Sequence, residues 1–190
     1  WYSNAPFAPT GYGTQTAQAV PRLIKEGHEV AIHAMYGIEG VASMWNGIKL
    51  YPRGMAPYSD DILTAHWMDW SNGNQELPAL LMTLFDVWVL KSPSINQITN
   101  IASWVPIDHA PCPEETIAWC KRDNVKPIAM SQFGLRMLEA EGVEAFYAPH
   151  GIDATFKPTP KWSNGQREWT GRELMQIPDD KFVVMKLLIF

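Results

Sequence analysis

Apolar positions along this chain recur with two periods, and the two alternate. Over residues 14–25, Ala17, Val20, Leu23 and Ile24 share one face at helical spacing, which predicts a helix. Pro21 lies inside that pattern, where it kinks the helix or removes one hydrogen bond. Gly27 follows as a C-terminal cap would. Residues 29–35 then read as a buried strand. Upstream, Trp1 and Tyr2 read as the tail of a strand, and residues 3–13 as a loop holding Asn4, Pro6, Pro9, Gly11 and Gly13. Strand, glycine-rich loop, helix, glycine turn and strand make a βαβ unit, which builds parallel sheets with right-handed crossovers.

Short apolar runs recur at residues 48–51, 80–84, 87–90, 102–107, 128–130 and 145–148, and each is expected to be a strand. Helical stretches are expected between several of them, over 59–69, 94–101, 113–122 and 132–141. The alternation predicts an α/β domain with a doubly wound, mainly parallel sheet. After Pro149 the character changes. Residues 158–180 are polar, with Pro158, Pro160, Asn164 and Gly165, and read as a linker carrying a short helix over 167–175. Residues 181–190 resume an apolar run, which either opens a second domain or joins the edge of the first sheet. The expected division is a domain over 1–157, a linker over 158–180, and the first strand of a truncated second domain over 181–190.

Composition narrows the function. With 190 residues, 46% of them hydrophobic, the chain can bury one sizeable core. Only 18% are charged and the net charge is −5, so no basic surplus points to nucleic acid. The 9 Trp fit an aromatic-filled core better than a sugar-facing surface. Cys112 and Cys120 form no CxxC pair, and no His cluster stands at metal spacing, so no metal is expected. Two cysteines make no disulfide framework, which makes the reducing cytoplasm the default compartment. The apolar runs are too short to span a bilayer, and nothing indicates membrane contact.

Four segments could carry chemistry. Pro9-Thr-Gly-Tyr-Gly-Thr-Gln-Thr16 puts Gly11 and Gly13 before a helix whose N-terminal N–H groups favour an anion such as a diphosphate; the competing reading is an ordinary turn capped by Thr14. It is not the GxGxxG fingerprint, because Thr16 stands where the third glycine belongs, and no P-loop Gly-Lys-Ser/Thr follows. Trp104-Val-Pro-Ile-Asp-His-Ala-Pro111 delivers Asp108 and His109 at the carboxyl end of a strand, where open α/β sheets bind ligands; a capping Asp with a surface His is the alternative. His66 and Asp69 stand at i and i+3 near a helix end, a spacing that is more often structural. Tyr147-Ala-Pro-His-Gly-Ile-Asp153 places His150 and Gly151 at the domain boundary, at a cleft or a plain hinge. Hydrolase templates fail, since no G-x-S-x-G elbow is present and Ser131 lacks the glycine frame.

In their order these motifs resemble those of family 4 glycosyltransferases. Ser3-Asn-Ala-Pro6, Thr10-Gly-Tyr-Gly13 and Gly27-His-Glu-Val30 resemble the opening of that family. Ala129-Met-Ser-Gln-Phe-Gly134 resembles its S-x-x-G segment, and Pro149-His-Gly-Ile-Asp153 with Phe156-Lys-Pro158 its crossing motif. The resemblance covers residues 3–158, and Arg167 to Val184 resembles the entry to the second domain. It implies a GT-B fold of two Rossmann-like domains, of which this chain is the N-terminal, acceptor-side one. It implies a nucleotide-sugar donor, an unidentified acceptor, retention of anomeric configuration and no metal or other cofactor. It brings Gly11 and Gly13 to the donor phosphate or the sugar, and the expected substrate- or donor-binding set is Gly11, Tyr12, Gly13, Thr14, His66, His150 and Gly151. It makes His109, supported by Asp108, the catalytic pair, and sets His150 and Gly151 at the hinge.

The second-domain Glu and basic residues of that family have no counterpart in these 190 residues, so little or no transfer is expected from this chain alone. The alternative expectation is a non-catalytic Rossmann-like module that binds sugar or protein. Either way, the face that a second half would cover is expected to drive homo-oligomer formation.

Overall fold

The computed structural model describes residues 1–74, 78–152 and 161–182. They fall into two compact units that divide between His150 and Gly151.

The first unit is an eight-stranded α/β sheet of Rossmann-like character. Its strands are β1 (Tyr2–Asn4), β2 (Ile32–Tyr36), β3 (Ser43–Trp45), β4 (Ile48–Tyr51), β5 (Leu81–Leu84), β6 (Ile101–Val105), β7 (Val125–Ala129) and β8 (Phe146–Tyr147). Their spatial order is β3-β4-β2-β1-β5-β6-β7-β8. Every pairing is parallel except β3 with β4. The chain builds outward from β1 in one direction and then in the other, so the order reverses between β1 and β5. Helix α1 (Gly11–Lys25) covers one face through Val20, beside Ile32, Ala34 and Leu50. Helices α2 (Leu63–Trp70), α3 (Glu114–Cys120) and α4 (Gln132–Ala140) cover the other through Leu63, Ile117 and Leu138. Opposite faces for opposite directions of travel are what right-handed crossovers require.

The sequence pattern located most elements, with corrections. Helix α1 starts at Gly11 rather than residue 14, because Thr10 has extended backbone and caps it, accepting from Gly13 N at 2.9 Å. It runs through Pro21 to Lys25. The run over 87–90 is a 3-10 turn at Val87–Val89, in which Val87 and Val89 are buried and Trp88 is exposed. A short apolar run has no period that distinguishes a strand from a buried turn. The helix expected over 94–101 shrinks to a 3-10 turn at Pro93–Gln97, since Ile101 is recruited into β6 between Leu81 and Val125. The hairpin β3–β4 is an addition. It turns on Asn46 and Gly47, both with positive φ (50° and 80°), the usual pair for a two-residue hairpin.

The second unit carries regular elements within the stretch read as a linker. A hairpin of β9 (Trp162–Ser163) and β10 (Glu168–Trp169) stands there, followed by the short helix α5 (Gly171–Leu174). Trp162 pairs across with Trp169, and Asn164 Oδ1 accepts from the N–H groups of Gln166 and Arg167 to shape the turn. The helix expected over 167–175 therefore starts only at Gly171, where Thr170 and Glu173 form a reciprocal capping box. The strand expected over 181–190, the Phe156-Lys-Pro158 motif and Asp153 lie largely or wholly outside the described residues.

Candidate functional site

Ligands in open α/β sheets bind outside the carboxyl ends of the strands, where the strand order reverses. Here that point is flanked by the loop after β1, residues 5–10, and by Phe85 and Asp86 after β5. The β1 loop is tied down at both of its ends. Ala5 N donates to Tyr36 O at 2.8 Å, Thr10 N to Ala8 O at 2.8 Å, and Asn4 Nδ2 to the Thr10 hydroxyl at 2.8 Å.

The two glycines of this segment do different work. A Cβ on Gly13 would lie 2.3 Å from Ala8 O and 2.9 Å from Ala5 O. Gly13 is therefore demanded by the close approach of helix and loop. A Cβ on Gly11 would meet nothing within 4 Å, so Gly11 faces open space. Thr14 N closes the first helical turn on Thr10 O, and its hydroxyl donates to the same carbonyl at 3.1 Å.

Tyr12 reaches across the reversal. Its hydroxyl donates to Asp86 Oδ2 at 3.4 Å, and its ring packs against core residues of both sheet faces. Burial, followed by the negative charges of Asp86 and Asp108, raises the Tyr12 pKa well above that of a free phenol. The structure thus brings Tyr12 together with Asp86, and the charge of Asp108 is felt at the same phenol. Asp86 was missed in the sequence, although the argument that singled out Asp108 applies to it equally: it follows directly on a buried strand.

Asp108 and His109 lie in the loop after β6. His109 Nδ1 and Asp108 Oδ1 are 2.5 Å apart, and both side chains are largely exposed. A carboxylate only accepts, so Nδ1 carries the hydrogen and Nε2 holds the lone pair when the ring is neutral. Ser131 of the S-x-x-G segment accepts from Gly134 N at 2.9 Å and so serves as the N-cap of α4. A Cβ on Gly134 would sit 3.3 Å from Ile107 Cβ, so that glycine lets α4 close on the β6 loop.

His66 belongs to a different cluster. Its Nδ1 lies 2.8 Å from Nδ1 of His33 in β2, whose Nε2 lies 3.0 Å from Ser59 O. Since that carbonyl only accepts, His33 carries its hydrogen on Nε2 and accepts at Nδ1 from His66. Burial, reinforced by His66, lowers the His33 pKa to about 3, and burial also lowers that of His66. Tyr51 stacks on His66 at 4.5 Å and donates to Asp69, which also holds Lys49. His66 and Asp69 are thus joined through Tyr51. His33 was missed because a histidine in an apolar strand reads as one more core position.

His150, at the end of the first unit, sets its ring edge-on to Trp104 at 4.5 Å, while Trp104 Nε1 donates to Ala148 O at 2.8 Å. Burial lowers the His150 pKa, and its Nε2 is buried with no hydrogen-bond partner among the described residues. Gly151 belongs to the second unit, and a Cβ there would meet nothing within 4 Å.

Among the described residues no group of three or more His, Cys, Asp or Glu could hold a metal ion, and no helix is long and apolar enough to cross a membrane. Cys112 and Cys120 are free and buried, and burial raises both thiol pKa values. Comparison of the chain with protein-family models, curated proteins and solved structures finds no match.

Proposed function

We propose that the first unit is the acceptor-side half of a nucleotide-sugar-dependent glycosyltransferase, and that a hydroxyl-rich acceptor binds beside Tyr12 at the reversal of strand order. The observation that supports this reading is the contact of Tyr12 with Asp86 where the strand order reverses, with the negative charge of Asp108 also acting on that phenol. Carboxylates only accept hydrogen bonds, and sugar hydroxyls supply donors. A ligand hydroxyl can replace the long Tyr12 contact on Asp86 and gain a shorter bond. His109, held at Nδ1 by Asp108, offers Nε2 to a second hydroxyl as a hydrogen-bond acceptor or general base.

The same charges bear on the donor. Two carboxylates disfavour a diphosphate close to them. On this unit, a diphosphate is best served by the open side of Gly11 at the start of α1, where the helix carries partial positive charge. A complete donor site, with groups for ribose and diphosphate, is then a task for a second domain. On this reading the chain by itself binds acceptor and transfers little sugar.

Saturation-transfer NMR with free monosaccharides and with UDP tests this. We expect sugar signals to be saturated by the protein, and to weaken at least several-fold in the Asp86→Asn, Asp108→Asn double variant. No sugar signal above background, or signals indifferent to that variant, would overturn the reading.

A further inference from the structure

The carboxyl edge of the sheet carries a row of exposed aromatic residues. Phe7 stands in the loop after β1, and Tyr36 ends β2. Trp88 lies two residues beyond Asp86 after β5, and Phe133 stands in the first turn of α4 after β7. They are 55%, 51%, 48% and 36% exposed, so a large part of each ring is free to meet a ligand, whereas Trp104 and Trp119 are buried. The strands that lead to them run parallel, so all four residues stand at the same edge. The opposite edge differs. Among the described residues, the last few positions ahead of β2, β4, β5, β6, β7 and β8 include no exposed aromatic.

Carboxylates are interspersed with the rings. In the spatial order β2-β1-β5-β6-β7, the edge presents Tyr36, Phe7, Asp86 with Trp88, Asp108, and Phe133. Neighbouring strands stand about 4.8 Å apart, so the row extends over four spacings, about 19 Å. That is several times the width of one sugar ring. Aromatic faces carry partial negative charge and attract the C–H face of a pyranose, while its hydroxyls donate to carboxylates. A chain of sugars offers both groups along its whole length. A lipid or an apolar peptide would cover the rings, but it would strip water from Asp86 and Asp108 without replacing the lost hydrogen bonds.

We propose that this row binds a linear, uncharged oligosaccharide laid across the strand ends, so that the acceptor is a glycan chain rather than a single sugar. The inference rests on the acceptor reading above and deepens it. One residue of the chain sits beside Tyr12 and Asp86, and its neighbours stack on Phe7 and Trp88. A cationic peptide is the competing occupant, since it would pair with both carboxylates and lie over the rings.

Ligand-observed NMR titrations that compare glucose and mannose with the cello-, malto- and mannotetraoses test this. We expect at least one tetraose to bind at least about ten-fold more tightly than its own monosaccharide, because each added contact is then intramolecular. Phe7→Ala and Trp88→Ala should each cut that ratio by about five-fold. Both rings are exposed, so the unfolding midpoints should stay close to that of the parent chain. Raising salt from about 0.05 M to about 0.5 M should leave tetraose affinity unchanged, because the ligand is neutral. A ratio near one for every tetraose, or a ratio that both alanine variants preserve, would overturn the row. The acceptor reading would survive that result if monosaccharide binding still depended on Asp86 and Asp108. No sugar binding at all would overturn both. A tetralysine peptide that bound more tightly than every tetraose, and let go at high salt, would overturn the glycan and assign the row to a cationic partner.

Discussion

The Tyr12 hydroxyl and Asp86 Oδ2 stand 3.4 Å apart and join the first turn of α1 to the loop after β5. These residues are far apart in the chain, and nothing local makes them neighbours. They meet because β1 and β5 are adjacent strands whose following segments diverge to opposite faces of the sheet. The contact is long for an O–H···O bond, so it contributes little to stability. Tyr12→Phe should destabilise the fold by less than about 1 kcal/mol. It should still change sugar binding in the NMR assay, because it frees Asp86 for a ligand hydroxyl.

The two glycines at the start of α1 should separate cleanly. Gly13→Ala forces a methyl into the Ala8 and Ala5 carbonyls and should cost about 2–3 kcal/mol in urea unfolding. Gly11→Ala meets no obstruction and should be neutral, or stabilising by up to about 1 kcal/mol, because alanine loses less entropy in a helix. If both variants were equally destabilised, the packing role of Gly13 would be refuted.

Stability should fall on mild acidification. His33 is held neutral when folded, with its pKa near 3, whereas the unfolded chain titrates near the ordinary value of about 6.5. Below that value the unfolded state binds the proton and the folded state does not, so the contribution is complete above about pH 6.5 and shrinks as pH drops towards 3. His33 alone should cost about 2 kcal/mol at pH 5 relative to pH 8. Urea unfolding at the two pH values measures the loss, and NMR of the His33 ring should show it still neutral at pH 5.

Helix α4 depends on a single side-chain cap. Ser131→Ala removes the acceptor for Gly134 N and should destabilise by about 1 kcal/mol, whereas Ser131→Asp should retain most of the stability. If Ser131 instead served only a ligand, the alanine variant would keep its unfolding midpoint and lose binding.

The sequence by itself determined the fold class and the approximate places of most elements. Turn chemistry and apolar periodicity are local properties, so a residue such as Gly27 and the run from Ile48 to Tyr51 declare themselves without their neighbours. The carboxyl-end position of Asp108 and His109 was legible for the same reason, since it needs only a strand followed by a polar pair. Where one short apolar stretch could serve several structures, as at Val87–Val89 or Pro93–Gln97, the tertiary packing chose among them. Only the three-dimensional structure decided which titratable groups meet: Tyr12 with Asp86, and His33 with His66. The order of strands in a sheet sets those meetings, and strand order is a property of the whole chain's packing that no local window contains.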